Sequence, residues 1–161
     1  MNFKNIVVLI VLFFGLQSYS QLYRFKTTSL SVTTKLKNNK WDKWSKAQNA
    51  NLIVTLDSSK NRIIVYSEIL QLFEIIEYID EVETDKDRTV QFICKSNEGE
   101  NCNISIITRK NQGNRMQLYI TYDDNILNYN IELLTDLLKL ILNLSRFQHQ
   151  EMQVSILYKW F

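Results

Sequence analysis

Strict alternation of apolar and polar side chains constrains this chain more than any other feature. It runs through Leu52, Val54 and Leu56, through Val90, Phe92 and Cys94, through Cys102, Ile104 and Ile106, and through Met116, Leu118 and Ile120. A period of two turns one face of a strand toward a core and the other toward water. The runs are short and rich in β-branched and aromatic residues. They are separated by clusters such as 57–61 (DSSKN) and 111–114 (NQGN), which supply local hydrogen bonds or positive φ. Strands are therefore expected over 22–36 (bent or broken), 52–56, 62–67, 70–78, 89–94, 102–108, 116–122 and 126–131. The segment 70–78 is ambiguous, because Ile69, Leu72, Phe73 and Ile76 also fit helical spacing; it is read as a strand. The fold class is mainly β: an antiparallel meander, either a curled sheet or a small barrel.

The chain changes character after Ile131. Over 132–146, Leu133, Leu134, Leu137, Leu138, Ile141 and Leu144 form a stripe at helical spacing. One C-terminal amphipathic helix packing on the sheet is expected there, with 152–161 as a further candidate strand.

The first twenty residues have the three parts of a cleavable signal peptide. Lys4 gives a positive start, 6–16 (IVVLIVLFFGL) is apolar, and Ser18 and Ser20 are the small residues before a cleavage point at Gln21. The apolar run is too short for a spanning helix, which needs ~20 residues. No cysteine lies near the cleavage point, so a lipid anchor is not expected. The reading is a leader over 1–20 and one β-rich domain over 21–161, exported to the periplasm or beyond and not membrane-spanning after cleavage.

Charge is nearly balanced. Cleavage removes one lysine, leaving 18 basic against 17 acidic residues, so nucleic acid is not an expected partner. The distribution is uneven. From Arg24 to Lys46 seven basic residues face one acid, Asp42, whereas from Glu68 to Asp87 eight acids face one base, Lys86. Solvated strand faces and loops account for this pattern, and a surface that steers a partner or docks on anionic lipid is the sharper alternative.

Cys94 and Cys102 fall on the apolar faces of neighbouring strands. A hairpin that puts them opposite each other also puts Phe92 opposite Ile104 and Val90 opposite Ile106. In an oxidising compartment a structural disulfide is expected, stabilising by roughly 2–3 kcal/mol. His149, the only histidine, lies in a polar stretch and is read as a surface residue. Asp80, Glu81, Glu83, Asp85 and Asp87 lack the central glycine and ligand spacing of an EF-hand, and are read as a solvated hairpin loop. No metal site or cofactor is expected. Trp41 and Trp44, three apart, are read as one side of a helical turn that plugs an open end of the sheet, or else as an exposed platform for a ligand.

These features together resemble small exported β-rich proteins of Bacteroidota. The resemblance rests on the leader ending before Gln21, on Trp41-Asp-Lys-Trp44, Leu52-Ile-Val-Thr-Leu-Asp57 and Ile63-Ile-Val-Tyr-Ser67, on the Cys94 and Cys102 hairpin, and on Gln117-Leu-Tyr-Ile120 and Tyr122-Asp123. It spans 22–131 and implies the fold and compartment but no activity. A looser likeness is to calycin barrels, which carry Gly-x-Trp near the first strand; here Asn39-Lys40-Trp41 stands in that place, without the glycine. The function expected is non-enzymatic binding or a structural part in the cell envelope. The alternatives are a calycin-like carrier of a small apolar ligand, with Trp41 or Trp44 near its mouth, and an extracellular hydrolase using carboxylates such as Glu74 and Glu77.

Overall fold

The computed structural model describes residues 22–134. Nine strands follow one another: β1 (Leu22–Thr34), β2 (Gln48–Asn49), β3 (Ile53–Asp57), β4 (Arg62–Tyr66), β5 (Gln71–Glu83), β6 (Asp87–Ser96), β7 (Asn101–Arg109), β8 (Arg115–Thr121) and β9 (Asn125–Leu133). From β3 to β9 each strand pairs antiparallel with the next, and β1 pairs with both β3 and β9. The sheet therefore closes on itself as an eight-stranded barrel, with β2 as an extra short strand on β1. Closure removes the exposed edges that an open sheet of this size would present.

The alternation read from sequence becomes the wall of this barrel. Val54, Ile63, Val65, Phe73, Phe92, Ile104, Leu118, Ile120 and Tyr129 point inward and are almost completely buried. Outward positions on the same strands are mixed: Glu74, Lys95 and Asn103 are polar, whereas Ile53, Tyr66, Ile76 and Ile93 are apolar and exposed. Among the described residues no helix is long and apolar enough to cross a membrane.

β1 is bent rather than broken. Its register against β9 shifts between Thr27 and Ser29, a bulge that lets one long strand serve two neighbours. On its other edge the β2 and β3 pairings are interrupted, and the fully buried Thr27 bridges the interruption. Its Oγ1 donates to the Ala50 carbonyl at 2.7 Å and accepts from the Leu52 N–H at 2.9 Å. The side chain stands in for the missing ladder.

The strand reading of 70–78 holds in β5. The loop reading of the acidic stretch is corrected: β5 runs on through Asp80, Glu81 and Glu83, while Asp87 opens β6. The acidic stretch is thus mostly ladder, and only Thr84, Asp85 and Lys86 turn. Its charges do not disrupt the strands because they are matched across the hairpin: Arg88 grips both carboxylate oxygens of Glu81, Lys110 reaches Glu83 at 2.6 Å, and Arg109 reaches Asp87 at 2.7 Å.

The expected helix start is also overturned. Glu132 and Leu133 extend β9, paired with Lys26 and Phe25, so cross-strand pairing overrides the helical spacing there. Among the described residues the only helical pieces are two short 3-10 turns, Ser58–Lys60 and Lys110–Gln112. The leader read over 1–20, the rest of the helix read over 132–146, His149 and the strand read over 152–161 lie outside the described residues.

Candidate functional site

An up-and-down meander puts every second turn at the same end. The β4–β5, β6–β7 and β8–β9 turns therefore gather at one mouth of the barrel, and β1 also finishes there, where the Lys35 N–H donates to the Asp124 carbonyl. Between these turns lies an open cleft of about 400 Å3. Its floor is Phe73, and Glu68, Gln71, Asn97, Glu98 and Tyr122 surround it.

Local hydrogen bonds order this rim. The Asn97 N–H donates to the Leu72 carbonyl at 2.9 Å, tying the β6–β7 turn to the start of β5. Gln71 donates to the Ser67 hydroxyl at 3.1 Å, and Ser67 donates to the Ile69 carbonyl at 2.5 Å. Burial, with the Cys102 thiol and the carboxylates of Glu100 and Glu98 nearby, pushes the Tyr122 phenol up to about 12. Its hydroxyl therefore stays protonated at neutral pH and can donate. Two carboxylates, amide groups and a phenol O–H stand beside the apolar Ile69 and Phe73, so the cleft offers both hydrogen-bonding and apolar contact.

The lumen below the cleft is filled. Val65, Cys94, Ile104 and Ile120 are each 0 % exposed, and Phe73 and Leu118 are 1 % exposed. A water-sized sphere finds no access to Val65, Cys94, Ile104 and Ile120, so no void of that size lies against these four side chains. An enclosed pocket of a few hundred Å3, which a carrier of apolar ligands needs, has no place among them.

Cys94 and Cys102 are opposite each other, with Phe92 opposite Ile104 and Val90 opposite Ile106, in the register read from sequence. The disulfide expected there is not formed; both are buried free thiols. Burial disfavours their ionisation. It pushes Cys94 up to about 12, aided by Cys102, and Cys102 up to about 11, aided by Glu100. Thiolate is the form that attacks in disulfide exchange, and here it is suppressed.

Trp41 and Trp44 do not share a helical turn and do not line the cleft. After β1 the chain makes a tight reversal, with the Leu36 N–H donating to the Lys40 carbonyl at 2.8 Å, and Trp41 bridges back to Lys35. It then descends beside β1. The backbone of β1 captures it: the Asp42 N–H donates to the Thr34 carbonyl at 2.9 Å, and the Ser45 N–H to the Val32 carbonyl at 2.8 Å. This pairing holds the stretch extended where residue spacing suggested a turn of helix. Trp41 is 42 % and Trp44 46 % exposed, so neither belongs to the core. Lys35 Nζ stands 5.8 Å over the Trp41 ring, and Trp44 meets Tyr119 edge-on at 6.3 Å.

Glu74 and Glu77 are exposed on β5, away from the cleft. Glu68 and Glu98, which do line it, were not singled out by sequence. Their signal was topological: once strands are placed, turns two apart become neighbours. Among the described residues no cluster of His, Cys, Asp and Glu is arranged to hold a metal ion. No protein-family model, curated protein or solved structure matches the chain.

Proposed function

We propose that this chain is an exported, non-enzymatic binding or structural component of the cell envelope that works through the outside and the mouth of a packed barrel. The packed lumen carries the reading. Eight-stranded up-and-down closure is shared with lipocalins, which hold a ligand inside, but here side chains occupy that space. What remains for recognition is exterior: the cleft at the mouth and the exposed excursion between β1 and β3. The signal-peptide pattern over 1–20 supports export, to the periplasm or beyond, with the working chain starting at Gln21.

Native mass spectrometry of the protein recovered from its envelope tests this. The expected species is a chain beginning at Gln21 that carries no apolar ligand. A stoichiometric lipid retained in the barrel would overturn the packed-lumen reading, and an unprocessed chain in the cytoplasm would overturn export.

A further inference from the structure

The segment between β1 and β3 is the most unusual surface of the molecule. Every residue from Thr34 to Asn49 is exposed, although the stretch includes Leu36, Trp41 and Trp44. It also carries Lys35, Lys37, Lys40, Lys43 and Lys46 against a single acid, Asp42. None of these lysines forms an ion pair with the described residues, where the ion pairs are Arg62–Asp57, Arg88–Glu81, Arg109–Asp87 and Lys110–Glu83. Asp42 is partly engaged locally, since its Oδ1 accepts from the Lys43 N–H at 2.7 Å.

The excursion is nonetheless ordered. Besides its backbone bonds to β1, Thr33 Oγ1 donates to the Asp42 carbonyl at 2.8 Å and the Val32 N–H donates to Ser45 Oγ at 2.9 Å. A pre-ordered surface loses little entropy on docking. It shows a partner two things together: unpaired positive charge, and half-exposed indole and leucine side chains. A soluble polyanion would satisfy the lysines and leave the apolar groups in water. A bilayer surface with anionic headgroups satisfies both, because indole rings favour the headgroup region and lysines are drawn to its negative potential. Asp123 and Asp124, in the turn beside Lys35, and Glu68 and Glu98 at the same mouth oppose this attraction, but those acids are spread over three turns whereas the five lysines lie on the one excursion.

We propose that the Leu36–Lys46 excursion docks the barrel on an anionic lipid surface, with Trp41 and Trp44 entering the interface and the lysines facing the headgroups. The proposal depends on the envelope reading for its compartment only.

Its test is co-sedimentation of the whole purified chain with vesicles of phosphatidylcholine, with and without a minority of phosphatidylglycerol. Tryptophan emission is followed in the same samples. Binding is expected only with phosphatidylglycerol, weakened by salt and accompanied by a blue shift. Lys37→Gln, Lys40→Gln and Lys43→Gln together should lower partitioning by about two orders of magnitude, at roughly a factor of five for each lysine. Trp41→Ala should weaken binding while preserving its salt dependence. All four positions are exposed, so circular dichroism and the unfolding midpoint should stay unchanged and separate lost docking from lost folding. Failure to bind, equal binding to neutral vesicles, or binding unaffected by the triple variant would each overturn the proposal. So would displacement by dextran sulfate with no blue shift at any stage, which would assign the surface to a soluble polyanion. A chain processed at Gln21 that ignores these vesicles would defeat docking alone and leave the envelope reading standing.

Discussion

Replacing Phe92 with alanine gives the most direct measure of how tightly the barrel is filled. Phe92 is 2 % exposed, lies opposite Ile104 on β7, and packs edge-to-face on Tyr78 with ring centroids 5.5 Å apart. Returning its ring to water accounts for about 1.5–3 kcal/mol. The cavity left in a closed wall that cannot collapse raises this to about 3–5 kcal/mol. The lost aromatic pair lies toward the upper part of that range, contributing about 0.5–1.5 kcal/mol. A domain of this size has roughly 5–15 kcal/mol in all, so Phe92→Ala should fold but with a much lower midpoint in urea. Equilibrium unfolding followed by near-UV circular dichroism measures this, with Ile76→Ala as a control. Ile76 is 61 % exposed and should cost no more than about 0.5 kcal/mol. The new cavity should also admit a small apolar molecule such as benzene, which the unmodified barrel should not bind. A Phe92→Ala cost below about 1 kcal/mol, with benzene already bound by the unmodified protein, would refute the packed lumen and restore the carrier reading.

Two further outcomes follow from buried groups on the strands. Thr27→Val keeps the shape but leaves the Ala50 carbonyl and Leu52 N–H without the hydroxyl that serves both; a loss of about 1–3 kcal/mol is expected, with Thr27→Ser recovering most of it, and equal losses for both variants would discount the bridge. Cys94, Cys102 and Tyr122 are held neutral in the folded state, with Cys94 and Tyr122 at about 12 and Cys102 at about 11. The unfolded chain releases these protons first, from ordinary values of 9.0 for the thiols and 10.0 for the phenol. Their contribution is therefore intact below pH 9 and is lost as pH rises toward 11 and 12. Urea midpoints should fall across that alkaline window, and in reduced native protein neither thiol should be alkylated at pH 8 as it is in urea; a flat alkaline profile would contradict the burial argument.

Much of the wall was legible because burial on one face writes itself into alternate residues. Val90, Phe92 and Cys94 pointed to their partners on β7, since the register that sets Cys94 opposite Cys102 also joins the two apolar faces. The acidic end of β5 was illegible for a complementary reason. Where a hairpin is solvated on both faces, as at Asp80, Glu81 and Glu83, its side chains carry no periodic imprint, and pairing is held by the backbone and by cross-strand ions. Trp41 and Trp44 misled because a spacing of three matters only if the backbone is helical, and here the backbone is claimed by β1. Closure was the hardest feature to read. It depends on β1 bending at Thr27 to reach β9, and no local pattern reports a partner a hundred residues away. The mouth cleft inherits this limit, since its lining converges from three separate turns.

The pairing of β1 with β9 also fixes the order in which the molecule can assemble. Ser29 meets Asn130, so the first described strand finds its second neighbour only when the last described strand is complete. The hairpins from β3 to β9 join residues close in the chain and can form as they emerge, whereas the seam must close a loop spanning nearly the whole domain. Until then β1 and β9 are unsatisfied edges able to pair with other chains. A barrel of this topology is thus born open, and the interval before β1 meets β9 is the one in which that seam needs protection.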